Sequence, residues 1–123
     1  MNKEMNVFQY AATCEVNFEA NLEMVSDYRR KTTFFSDLSI AEFYSTKDVI
    51  DTYRRVMKEW LNNIEYITEF VICLNYKSWE WHYKKKQDMV EFYASLYEKA
   101  VDAVVEHYKN DEKALEYFYE ITN

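Results

Sequence analysis

Residues 53–74 read YRRVMKEWLNNIEYITEFVICL, and their spacing decides the fold class. Tyr53, Met57, Trp60, Ile64, Ile67, Val71 and Leu74 follow one another by alternate steps of four and three, which holds all seven on one face of a helix. A half-buried strand would instead alternate at every second position. Ile50, Val56, Leu61, Phe70 and Ile72 widen the stripe beyond a two-stranded seam. A stripe that wide predicts burial on more than one side, as for the central member of a bundle.

Upstream, Ser45 and Asp48 form a capping box that opens this helix. Residues 31–46 break the pattern, because Thr32, Thr33, Ser36, Asp37, Ser39, Ser45 and Thr46 favour caps and turns. Phe34, Phe35, Leu38, Ile40, Phe43 and Tyr44 are too apolar for a free linker, so the connector should pack on the bundle, with Ser39 and Glu42 capping a short helix. Before it, Met1, Met5, Phe8, Ala12, Phe18, Leu22 and Val25 keep helical spacing, interrupted by Glu15. Residues 3–31 therefore read as one long helix, or two joined near Thr13.

Downstream, residues 75–88 continue the helix through Tyr76, Trp79 and Tyr83; a strand alternating Trp79, Trp81 and Tyr83 would have no partner. Asp88 and Glu91 form a third capping box, opening a helix through Met89, Phe92, Tyr93, Leu96, Ala100 and Val104, with Asn110 as its glycine-like cap. A short helix over about 111–121 presents Leu115, Phe118 and Tyr119. The expected fold is all-α, one domain over residues 1–123: an antiparallel bundle of three long helices plus one or two short ones.

Composition agrees, for the 123 residues contain no glycine and no proline, where average use would give about nine and six. The chain lacks both the residue of left-handed turns and the usual helix breaker. A nucleotide bias toward Asn, Lys, Ile, Tyr and Phe could produce the same absence, so the periodicity is the independent support. Zero glycine also removes phosphate-cradling loops, dinucleotide fingerprints and nucleophile elbows. Cys14 and Cys73 lie far apart without CxxC spacing and read as small apolar residues in a reducing compartment. The first residues lack a signal-peptide pattern and no stretch is long and apolar enough to span a bilayer, which predicts a cytoplasmic protein with no membrane contact. A net charge of −7 disfavours a general nucleic-acid or anionic-lipid role.

The two histidines are His82 and His107, and neither has the Glu three positions before it that a di-iron bundle requires. No paired Cys or His spacing suits a structural zinc ion, and no cofactor is expected. Haem ligation by a lone histidine stays open beside the plainer reading of a surface side chain. Glu15, Glu19 and Glu23 line one helix face that should be solvated. The most suggestive segment is 76–86, where Tyr76, Trp79, Trp81, His82 and Tyr83 adjoin Lys77, Lys84, Lys85 and Lys86. Three readings fit: core packing with lysines at a helix end, a protein-binding hot spot, or a stacking platform for single-stranded nucleic acid.

In YAATCEVNFEANLEMVSDYRRKTTFFSDLSIAEFY (10–44) and WLNNIEYITEFVICLNYKSWEWHY (60–83), the chain resembles small helical proteins of unknown function carried by conjugative and other mobile elements of Bacteroidales. That resemblance implies a cytoplasmic accessory protein and transfers no functional residue. The function expected is a non-enzymatic helical module that binds another protein, including a second copy of itself, with Tyr76, Trp79, Trp81, His82 and Tyr83 as the contact surface. The rival is a nucleic-acid accessory protein using a basic patch of Arg29, Arg30, Lys31, Arg54, Arg55, Lys84, Lys85 and Lys86. An acidic mimic of DNA is a third reading, for which fifteen basic residues against twenty-two acidic ones leave too little one-sign charge.

Overall fold

A computed structural model describes residues 33–122. Five helices follow in chain order: α1 (Thr33–Tyr44), α2 (Thr46–Trp60), α3 (Ile64–Tyr83), α4 (Gln87–His107) and α5 (Glu112–Thr122). No strand occurs among the described residues, so the fold is all-α. The helix expected over 3–31, with Arg29, Arg30, Lys31, Cys14 and the Glu15, Glu19 and Glu23 ridge, lies outside them.

The widened stripe produces the central helix it predicts. α3 touches all four other helices, most extensively α4, and Ile67, Phe70, Val71 and Leu74 are completely buried. Around it pack Phe34, Phe35 and Leu38 of α1, Val49 and Val56 of α2, Tyr93, Leu96, Ala100 and Val104 of α4, and Phe118 of α5. Cys73 is a buried thiol within this core, as its apolar reading implied. α3 runs unbroken through residues 75–83, so the helical alternative there is the correct one.

The stripe of residues 53–74 belongs to two helices, however, not one. α2 stops at Trp60, and the Asn63 side chain accepts a hydrogen bond from the Tyr66 N–H at 3.0 Å to cap α3. Two consecutive asparagines, Asn62 and Asn63, offer the backbone side-chain partners that compete with helix continuation. The apolar spacing survives because both helices pack on the same core.

Capping elsewhere divides. Ser45 caps α2 as expected, its Oγ accepting from the Asp48 N–H at 3.1 Å and donating to the Asp48 carboxylate at 2.7 Å. The Ser39–Glu42 box does not form: α1 runs straight through Ser39, and buried donors from other helices take the Glu42 carboxylate. The Asp88–Glu91 box is also absent. α4 begins at Gln87 with no side-chain cap, and the Gln87 amide donates to Glu91 at 3.0 Å.

Asn110 is not a left-handed cap, since Lys85 is the one described residue with positive φ, at 57°. The left-handed residue instead closes α3. The Lys85 N–H donates to His82 O and the Lys86 N–H to Trp81 O, both at 3.1 Å, in the paired pattern of a Schellman motif. After α4, the Asp111 carboxylate caps α5 by accepting from the Ala114 N–H at 3.1 Å.

Candidate functional site

The densest polar arrangement is centred on Glu42, near the end of α1. Its carboxylate accepts from Trp81 Nε1 of α3 at 2.9 Å, from the Tyr93 hydroxyl of α4 at 2.7 Å and from Lys77 Nζ of α3 at 3.1 Å. Lys77 Nζ also donates to Glu80 at 2.8 Å and lies 5.4 Å from the Phe35 ring. The Lys77 side chain is 3% exposed, against 15% for Glu42 and 17% for Glu80. Burying such charges costs several kcal/mol per ion, roughly offset only when each has good partners. Here Lys77 faces two carboxylates and Glu42 faces three donors, so the cluster ties α1 to α3 and α4. Burial, reinforced by the bond to Glu42 and the nearby charges of Glu42 and Glu80, holds the Tyr93 phenol protonated far above its ordinary range. The arrangement acts as a clamp on three helices.

Within the five aromatic positions expected to form one contact surface, the structure separates roles. Tyr76 is buried, its ring 5.0 Å from that of Phe35, and it leaves the proposed surface because its face of α3 packs on α1. Trp81 is half-buried and anchored to Glu42, with Lys84 Nζ 4.7 Å from its ring. Trp79 is half-buried and stacks on exposed His82 at 5.0 Å and 9°, with half-buried Tyr83 edge-on at 5.0 Å.

Of the basic positions, Arg54, Lys84, Lys85 and Lys86 are exposed. Arg55 directs its guanidinium to Asp37 at 2.6 Å and Glu59 at 3.5 Å, and Lys84 lies 4.0 Å from Glu80. Such surface pairs contribute about 0–1 kcal/mol each, but they offset local positive charge. Among the described residues no group of three His, Cys, Asp or Glu side chains is placed to hold a metal ion, and no helix is long and apolar enough to cross a membrane.

A surface the segment 76–86 did not suggest lies at the end of α1. Phe43 is 85% and Tyr44 73% exposed, and with exposed Ile40 they hold the i, i+3, i+4 spacing of one helix face. Beside them a groove of about 320 Å³ between α1 and α2 is lined by Ile40, Ala41 and Tyr44, with Asp37, Asp48, Asp51 and Arg55 among its polar residues. The expectation that the whole apolar set of residues 34–44 packs on the bundle holds for Phe34, Phe35 and Leu38 and fails for Ile40, Phe43 and Tyr44, which helical phase turns to the opposite side of α1. No family model, no curated protein and no solved structure matches the chain.

Proposed function

We propose that the chain is a non-enzymatic, cytoplasmic helical module that binds another protein through the groove between α1 and α2. What carries this reading is the exposure of Ile40, Phe43 and Tyr44 on one face. Each large apolar side chain left in water forgoes about 1.5–3 kcal/mol of burial, which a partner would recover. The groove's charge selects the partner. Asp37 pairs with Arg55 at 2.6 Å and Asp51 with Lys47 at 3.0 Å, while Asp48 accepts from the Ser45 hydroxyl and has no ion pair among the described residues, so one acidic charge is left in excess and two copies meeting face to face would oppose like charges there. The occupant we infer is a basic amphipathic segment of another protein, its apolar side chains on Ile40 and Tyr44 and a lysine or arginine against Asp48. For the whole chain we infer one domain, an antiparallel bundle of long helices in which α3 and α4 are neighbours.

The test uses the full chain titrated with a helical Leu/Lys model peptide and a Leu/Glu peptide of equal length, in parallel with the Phe43→Ser/Tyr44→Ser variant. The wild type should bind the basic peptide, with the variant weakened about tenfold or more. Equal binding by variant and wild type would remove the groove from the reading. A molecular mass that rises with protein concentration and returns to monomer in the variant would assign the face to a second copy instead.

A further inference from the structure

A second feature, sharing no residue with that groove, lies where α1, α2 and α3 meet. Phe34 near the start of α1, Trp60 at the end of α2 and Tyr66 near the start of α3 bring three rings together. Trp60 and Tyr66 have centroids 5.0 Å apart, inclined at 54°. Phe34 stands 6.0 Å from Trp60 at 60° and 6.1 Å from Tyr66 at 73°. Rings inclined in this way meet as the walls of a corner rather than as a stack. With Thr33 and Glu69 they line a cleft of about 280 Å³, in which Trp60 and Tyr66 are the accessible rings and Phe34, 3% exposed, is the buried floor.

The break between α2 and α3 makes this cleft. A continuous helix would place Trp60 and Tyr66 on different faces, six positions being roughly 600° of helical rotation. The turn at residues 61–63 folds them against each other.

The carboxylate fixes the kind of ligand. Among the described residues neither Glu69 nor Glu65, one turn before it, has a basic partner. Burial, and then the charge of Glu65, raises the Glu69 carboxyl above its usual range, so its negative charge is under-compensated where it stands. Aromatic faces carry negative electrostatic potential and attract cations, most strongly Trp. An anion would meet the Glu69 carboxylate, and a bare metal ion would find too few oxygen ligands in a wall of rings. A cation with an apolar surface satisfies both the rings and the acid.

We propose that Trp60, Tyr66 and Glu69, over the buried ring of Phe34, form a recognition site for a methylated ammonium group, carried either by a small free cation or by a methylated lysine side chain.

The test follows the N-methyl proton resonance of choline on titration with the full chain, against 3,3-dimethylbutanol, its neutral carbon isostere. A trimethyllysine peptide and its unmethylated counterpart form the second arm. Choline should bind with an upfield ring-current shift, and the neutral isostere about tenfold more weakly, the effect of roughly 1.4 kcal/mol. Glu69→Gln should lose a comparable factor. Tyr66→Leu, at a 43% exposed position where folding is tolerant of change, should lose binding while retaining the helical spectrum. Tighter binding of the methylated peptide than of choline would identify a protein-borne ligand, and equal binding a free one. Equal affinity for choline and its neutral isostere, or no saturable binding of any methylated ammonium up to about 10 mM by the folded protein, would overturn the proposal.

Discussion

Lys85 shows what a chain without glycine does when a helix must end sharply. Its φ of 57° places it at the left-handed position of the cap that closes α3. For a residue with a Cβ that conformation costs about 1–2 kcal/mol, and glycine is the residue ordinarily found there. Lys85→Gly should therefore stabilise the protein by about 0.5–1 kcal/mol, the gain being reduced by glycine's greater freedom in the unfolded chain. The measurement is the urea midpoint at unchanged slope, with Lys85→Ala as control; a lowered midpoint for the glycine variant would contradict it. Lys77 teaches the opposite lesson about single residues. In the sequence it is one of four lysines beside Trp79 and Trp81 and reads as a solubilising or ligand-binding charge, yet it is buried. What decides is Glu42, thirty-five positions away, and separation of that size is not encoded in local spacing.

At the scale of elements, periodicity located the helices from residue 46 onward but missed the break at 61–63, and turn-forming residues hid most of α1, which runs from Thr33 to Tyr44. The stripe through residues 53–74 reports which side chains face the core, and that remains true across the turn at 61–63 because α2 and α3 share the core. Spacing therefore identified α3 as central while concealing the break, whose sign was Asn62 and Asn63. The Tyr108 hydroxyl adds a tertiary reason for the turn, donating to Leu61 O at 2.6 Å. The candidate sites were less legible for the same reason: the groove and the aromatic cleft are both built from two or more helices meeting across turns. Asn63→Ala tests the break directly. Losing the side-chain acceptor for the Tyr66 N–H should cost about 1 kcal/mol in thermal or urea unfolding, with Asn63→Asp retaining most of the stability. Unchanged stability in the alanine variant would mean that packing alone sets the end of α2.

Across the molecule, the aromatic surplus gives stability a particular dependence on pH. Tyr53, Tyr93, Tyr97, Tyr108 and Tyr117 all have phenols raised above the ordinary value of 10.0, with burial the largest cause in each. Ionisation is thus easier in the unfolded chain than in the folded one. Above pH of about 10 the unfolded state binds fewer protons than the native state, so stability falls as pH rises, while below that value the contribution is complete. Tyr93, fully buried against Glu42, should by itself add a slope approaching about 1.4 kcal/mol per pH unit once its unfolded phenol is ionised. Urea midpoints measured from about pH 8 to about pH 11 should therefore hold level and then drop, with tyrosinate absorbance from the buried phenols appearing together with unfolding. Tyr93→Phe separates this linkage from general alkaline damage. The variant should be less stable at neutral pH by about 1 kcal/mol, because Glu42 loses a donor, yet its alkaline decline should be shallower. The same decline in both proteins would show that Tyr93 ionises without unfolding, and that the clamp on Glu42 opens locally instead of holding α1, α3 and α4 as one unit.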